Sequence, residues 1–94
     1  MAHRVTWSQR ALQDLEAIAG YIAADSQTYV GVVVKKVVSR TRMLAQFPRS
    51  GHKVPEFDDE EVRELLVYSY RIIYRISSDQ VVIAAIIHGK RILQ

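Results

Sequence analysis

From residue 8 onwards, the spacing of apolar residues changes once, at the segment Phe-Pro-Arg-Ser-Gly of residues 47–51. Before this segment, apolar residues recur at gaps of three and four, which is the period of one helix face. After it, apolar and β-branched residues form short runs bounded by turn residues, which is typical of strands. Proline just past a helix and glycine in the turn are common stop signals. We therefore expect a helical first half and a sheet-forming second half.

Two helices are predicted in the first half. Ser8 is a good N-cap for the first, whose apolar face comprises Ala11, Leu12, Leu15, Ile18, Ala19 and Ile22. Ser26 can cap the second, over residues 27–46. Its many valines favour a strand, but the periodicity of Val30, Val33, Val34, Val37, Thr41 and Leu44 favours a helix. We expect these two helices to form an antiparallel hairpin.

Four strands are predicted, at residues 3–7, Val62–Val67, Tyr70–Ile76 and 81–88. The last three are separated by short turns, which suits antiparallel hairpins, and the last is apolar on both faces, as in a central strand. The order β-α-α-β-β-β predicts an α+β fold in which the helical hairpin packs on one face of a small antiparallel sheet. A length of 94 residues fits a single domain, residues 1–94.

Composition excludes several classes of function. The chain has no cysteine, which excludes disulfides, cysteine-based metal sites and thiol catalysis. Its three histidines are scattered, so we expect no metal and no cofactor. No uncharged stretch approaches the roughly 20 apolar residues of a membrane span, and the first residues do not resemble a signal peptide. A soluble cytoplasmic protein without membrane contact is expected.

The net charge of +3 is unevenly distributed. Residues 56–64 hold six acids and one base, giving −5, while the other residues hold 12 bases and four acids, giving +8. The second helix carries the cations Lys35, Lys36, Arg40 and Arg42 and no acid. If the last three strands pair as a meander, Arg63, Arg71 and Arg75 gather on the sheet face away from the helices. These charges predict an anionic partner, either nucleic acid or an acidic protein segment.

Several segments, taken in order, resemble the ParE/RelE toxin superfamily. The first helix contributes Trp7-Ser8, Asp14-Leu15 and Tyr21-Ile22, and the loop after the second helix contributes Phe47-Pro48-Arg49-Ser50-Gly51. The strands contribute Arg63-Glu64-Leu65, Tyr70-Arg71-Ile72-Ile73-Tyr74-Arg75-Ile76 and Ile87-His88-Gly89-Lys90-Arg91. The resemblance spans nearly the whole chain. It implies the toxin of a bacterial type II toxin–antitoxin pair of the plasmid-stabilisation type, with two helices on a small antiparallel sheet.

The superfamily implies two alternative activities. RelE-like members are ribosome-dependent mRNA endonucleases, whereas ParE-like members act on DNA gyrase. Arg71 and Arg91 match two arginines of the ribonucleases, but residues 62–66 contain one arginine and no lysine, and no tyrosine follows Arg91. The sequence therefore favours a gyrase inhibitor without catalytic residues. If the protein is instead a ribonuclease, the candidates are Arg63, Arg71, His88 and Arg91; a third alternative is an antitoxin-binding module with little toxicity.

The predicted partner is an acidic, ParD/RelB-like antitoxin, bound in a hetero-oligomer. The predicted partner-binding residues are all cationic: Lys35, Lys36, Arg40, Arg42, Arg63, Arg71, Arg75, Lys90 and Arg91. Structural roles are the alternatives for several neighbours. Glu64 is expected to form a cross-strand ion pair with Arg63, His88 to be structural, and Tyr70 and Tyr74 to face the core.

Overall fold

The computed structural model describes residues 2–89, in which two helices cover one face of a five-stranded sheet. The helices are α1 (Gln9–Asp25) and α2 (Gln27–Arg42), and a short 3-10 helix (Met43–Ala45) follows α2. The strands are β1 (Arg4–Trp7), β2 (His52–Lys53), β3 (Val62–Val67), β4 (Tyr70–Ile76) and β5 (Gln80–His88). The predicted α+β arrangement is confirmed.

Two serines set the helix boundaries, as predicted. The Ser8 hydroxyl accepts a hydrogen bond from the amide of Ala11 at 3.0 Å and so caps α1. Ser26 serves both helices, because its amide donates to the Ile22 carbonyl and its hydroxyl accepts from the Tyr29 amide. One residue thus ends α1 and begins α2, which makes the helical hairpin tight.

The sheet has the order β1-β5-β4-β3-β2. Strands β3, β4 and β5 form the predicted antiparallel meander. Two details extend the prediction: β1 pairs in parallel with β5, and the two-residue strand β2 adds to the outer edge of β3. The helical hairpin connects β1 to the later strands by crossing one face of the sheet. Strand β1 can therefore pair with the edge of β5 that β4 does not occupy.

A bulge in β5 changes which residues of this strand face the helices. Ile73 pairs with Ala85 and Tyr74 with Ile83, so Ala84 has no partner on β4. The extra residue reverses the side-chain alternation, and Ile83 and Ile86 therefore both join the core beneath the helices.

The core is divided by the sheet. Its larger part lies between the sheet and the helices and includes Val33, Val37, Ile72 and Tyr74. A smaller cluster on the opposite face comprises Val54, Val62, Ile73 and Ala85. The smaller cluster anchors the segment between β2 and β3, which carries five of the ten acidic residues. Among residues 2–89, neither helix has the length and apolar character needed to cross a membrane.

Candidate partner-binding surfaces

Arg71 lies on the sheet face away from the helices, where two carboxylates surround it. Its Nε donates to Glu64 Oε1 at 2.5 Å, and its two terminal nitrogens each donate to one oxygen of Glu56 at 2.8 Å. The side chain of Arg71 is 8% exposed. Hydrogen bonding to Glu56, which outweighs the opposing effect of burial, and further bonding to Glu64 raise the pKa of Arg71. The guanidinium therefore remains charged, and carboxylates of the same chain compensate its charge.

The other acids of residues 56–64 also bind cations on and beside the sheet. The additional ion pairs are Arg49–Glu61, Lys53–Asp58, Lys53–Glu60, Arg63–Glu60 and Arg75–Asp59. All six acids of this segment are therefore paired, and they neutralise five basic side chains. Most of these pairs are exposed and contribute little to stability individually. Their combined effect is to neutralise positive charge on both sides of the sheet and in the adjoining loop.

The register corrects the predicted cluster of strand arginines. Arg63 pairs with Tyr74 across β3 and β4, so the two side chains point to the same side of the sheet. Arg63 therefore lies on the opposite side from Arg71 and Arg75, and it donates to the carbonyls of Gly51 and Glu60. The predicted Arg63–Glu64 ion pair is also wrong, because Glu64 binds Arg71.

Tyr74 fixes the loop after the 3-10 helix. Its buried hydroxyl donates to the Pro48 carbonyl at 2.7 Å and accepts from the Gly51 amide at 3.0 Å. A Cβ atom on Gly51 would lie 2.5 Å from both the Tyr74 hydroxyl and the Glu64 carbonyl, so only glycine fits there. Burial of the phenol raises the pKa of Tyr74. The core-facing orientation of Tyr74 was predicted, but this contact with the loop was not.

The basic helix face, which we define as Lys35, Lys36, Arg40 and Arg42, lies on the side of α2 away from the core. Lys35, Lys36 and Arg42 are exposed and Arg40 is half-buried. None of the four forms an ion pair with the described part of the chain, residues 2–89. Arg40 and Arg42 also lie in the last turn, where they interact favourably with the helix dipole. This face is consequently a concentrated positive surface.

A groove of about 540 Å³ runs between α1 and the end of β5. Its lining combines apolar and charged side chains, including Arg10, Ile18, Tyr21 and His88. The exposed His88 ring contacts Tyr70 edge-on, with ring centroids 6.0 Å apart. The predicted residues Lys90 and Arg91 lie outside the described residues.

The three candidate ribonuclease residues within the described range, Arg63, Arg71 and His88, do not share one face of the sheet. Arg71 pairs with Ile87, whereas His88 is the next residue along β5 and pairs with Tyr70. Alternation along the strands directs Arg71 to the open face, and Arg63 and His88 to the helix side. Arg63 pairs with Tyr74 four residues further along β4 from Tyr70, so it is also distant from His88 along the sheet. The partner-binding roles of these residues remain predictions.

Known proteins share this arrangement over nearly the whole chain. The family described as the ParE toxin of type II toxin–antitoxin systems, parDE, matches residues 5–93. A curated protein of Sinorhizobium fredii (strain NBRC 101917 / NGR234), named "Putative toxin Y4kP", is 34% identical over 88 residues, covering 92% of this chain and 88% of the relative. The chain therefore belongs to the ParE toxin family of type II toxin–antitoxin systems.

Two solved structures have the same fold. One is described as the chromosomal ParDE toxin–antitoxin system from P. aeruginosa; its matching chain has a TM-score of 0.77 at 21% identity, covering 95% of this chain and 98% of that one. The other is the RelBE2 toxin–antitoxin complex from Mycobacterium tuberculosis, with a TM-score of 0.62 at 21% identity and coverage of 94% and 99%. The fold thus occurs in structures described as ParDE and as RelBE2.

Proposed function

We propose that this toxin inhibits DNA gyrase by binding to it and that it has no catalytic centre. The observation that supports this most is the position of Arg71, between Glu56 and Glu64. The resemblance aligns Arg71 with an arginine that the ribonuclease members use. Here three nitrogens of that guanidinium already donate to carboxylates of the same chain.

Metal-free RNA cleavage needs cations that stabilise the negative charge developing on the scissile phosphate. A phosphate approaching Arg71 would meet Glu56 and Glu64 and would have to displace hydrogen bonds of 2.5–2.8 Å. Strand β3 supplies one arginine and no lysine, and that arginine points to the other side of the sheet. These features favour a binding protein over a ribonuclease.

We propose in addition that an acidic antitoxin neutralises the toxin in a hetero-oligomer. The P. aeruginosa and M. tuberculosis proteins are described as toxin–antitoxin assemblies. The groove between α1 and β5 offers apolar contacts around Tyr21, which is 68% exposed, beside the cation of Arg10. A partly disordered acidic segment that folds on binding suits such a mixed surface.

A paired assay tests the gyrase proposal. Purified protein is added to a gyrase supercoiling reaction and, separately, to a reconstituted translation reaction whose mRNA is mapped by primer extension. The variant Ile72→Asp, which places a charge in the larger core, serves as the unfolded control. We expect loss of supercoiling and intact mRNA. Codon-spaced mRNA cuts would support the ribonuclease alternative, and inactivity in both reactions would support the weakly toxic binding module; either result would contradict the proposal.

A further inference from the structure

Two exposed tyrosine rings lie together at the start of α2. Tyr29 is in the first turn of α2 and Tyr68 is in the turn between β3 and β4; they are 47% and 53% exposed. Their ring centroids are 6.4 Å apart and the rings are inclined at 59°. Tyr68 has a φ of 53°, in the left-handed region that bulky residues rarely occupy. The fold thus holds an aromatic ring in solvent in a conformation that is unfavourable for tyrosine.

The tyrosine pair is continuous with the basic helix face. Lys36 and Arg40 follow Tyr29 at intervals of seven and eleven residues, which correspond to two and three helical turns. These three side chains therefore form one row along α2, with Lys35 and Arg42 in the adjacent row. No acid occurs between residues 27 and 46. An aromatic platform at one end of the helix thus leads directly into a row of cations.

We infer that this surface of α2 binds single-stranded nucleic acid. The cations would follow the phosphates, and unstacked bases would lie against the rings of Tyr29 and Tyr68, a combination typical of sites that bind single strands without sequence preference. The inference does not depend on the gyrase proposal, because that proposal is argued from Arg71 and β3 and not from α2. Within residues 2–89, no ion pair involves the cations of this surface. An acidic protein would use the same cations but would gain no base stacking on the rings.

Fluorescence anisotropy of a labelled 12-nucleotide oligo-dT, titrated with the full chain, tests the inference. Neutralising four phosphates predicts a salt slope of about −3, so affinity falls about 50-fold between 50 and 200 mM salt. Removing three cations in Lys35→Gln/Lys36→Gln/Arg40→Gln should reduce the slope by about 2. The matched control Arg4→Gln/Arg49→Gln/Lys53→Gln changes the net charge equally and should bind as the wild type does. An equal loss in both variants would overturn the inference.

A second variant tests the aromatic contribution. Tyr29→Ala/Tyr68→Gly removes both rings, and glycine accommodates the positive φ, so circular dichroism should remain unchanged. We expect at least about a fivefold loss of oligo-dT affinity, because each stacked base contributes measurably in such sites. Unchanged affinity with this folded variant would overturn the inference. So would equally tight binding of a 12-base-pair duplex, or displacement of oligo-dT by poly-glutamate at equal charge concentration.

Discussion

At the scale of single residues, the most consequential group is Arg71. Arg71 is 8% exposed, and Glu56 and Glu64 compensate for the hydration that its guanidinium loses. We expect Arg71→Leu to lower the free energy of unfolding by about 3 kcal/mol, since it removes the cation that compensates two partly buried carboxylates. Urea denaturation measures this loss.

The double variant Arg71→Leu/Glu64→Leu is the control for that prediction. It removes the more buried ion pair as a unit and replaces it with apolar side chains, which is often close to neutral. We therefore expect it to recover most of the lost stability. A single variant within about 0.5 kcal/mol of the wild type would show that the ion pairs around Arg71 contribute little.

Substitution of Gly51 and of Gly20 by alanine should change stability in opposite directions. Gly51→Ala places a Cβ 2.5 Å from a backbone oxygen and from the Tyr74 hydroxyl, so we expect a loss of roughly 1–3 kcal/mol. Gly20 lies inside α1, where an added Cβ would meet no atom within 4 Å, and Gly20→Ala should stabilise the protein by about 0.5–1 kcal/mol. Thermal unfolding of the two variants should shift in opposite directions; equal shifts would be inconsistent with the packing around Gly51.

The buried phenol of Tyr74 makes the free energy of unfolding depend on pH in the alkaline range. Because burial raises the pKa of its phenol, the folded protein holds this proton to higher pH than the unfolded chain does. The resulting stabilisation is complete below the unfolded value of about 10 and is lost as pH rises through the raised folded value. Tyr74→Phe should cost about 1–3 kcal/mol at pH 8, by leaving the Gly51 amide without its partner.

The pH dependence distinguishes an effect of the Tyr74 hydroxyl from an effect of the packing of its ring. Urea denaturation of the wild type and Tyr74→Phe, repeated at pH 8, 9.5 and 11, should show the difference between them narrowing at the highest pH. A difference that stays constant across this range would contradict the assignment.

At the scale of secondary-structure elements, the bulge of β5 depends on α1. The Ser8 hydroxyl donates to the carbonyl of the bulged Ala84 at 3.0 Å, and Asp14 accepts from the Ile86 amide at 2.9 Å. Asp14 thereby satisfies a strand amide just past the end of the β1–β5 pairing. The same helix that covers the core therefore also completes the edge of the sheet.

Asp14→Ala should release the Ile86 amide from this hydrogen bond. We expect its hydrogen exchange to accelerate by at least about tenfold, while the amide of Ile72 in β4 keeps its protection, since a single lost bond opens only the edge. Amide exchange followed by NMR measures both sites. Arg10→Ala, which removes only the ion pair to Asp14 at 3.5 Å, is the matched control. Equal protection of Ile86 in all three proteins would contradict the role of Asp14.

The elements themselves were predictable because their signals are local. Ser8 and Ser26 act as caps over three or four residues, and the bounds of β3 and β4 follow from alternation and short turns. The parallel β1–β5 pairing and the bulge at Ala84 were not predictable, because a strand that is apolar on both faces contains no register information. The wrong prediction for Arg63 has a different origin: its side of the sheet depends on the β3–β4 register, in which Val67 pairs with Tyr70 across the turn and Arg63 therefore pairs with Tyr74.

The candidate site was less predictable than the fold for a related reason. The basic helix face follows from residues on one helix, so periodicity was sufficient to find it. Arg71 and Glu56, by contrast, are 15 positions apart in the sequence. Counting charges identifies a basic strand and an acidic segment, but it does not indicate that these two side chains form an ion pair. One signal in the sequence did point to such neutralisation: residues 56–64, with a net charge of −5, lie close in sequence to the arginines of β3 and β4.

At the scale of the whole molecule, the net charge of +3 conceals an uneven distribution of charge between two surfaces. Acids of residues 56–64 neutralise Arg71 and Arg75 on the open face of the sheet, whereas the basic helix face forms no ion pair within residues 2–89. Within residues 2–89, we therefore expect long-range attraction of an anionic partner to act mainly through α2. This separation underlies both the proposal of a non-catalytic toxin and the inferred nucleic-acid surface.

The central claim, that the protein acts by binding gyrase, is tested most directly by the stoichiometry of inhibition. The toxin is titrated into supercoiling reactions that contain several fixed concentrations of gyrase. An inhibitor that binds tightly predicts that the amount of toxin needed for half-inhibition rises in proportion to the gyrase concentration. Half-inhibition at one trace amount of toxin, independent of gyrase concentration and falling with incubation time, would indicate catalytic turnover and contradict the claim.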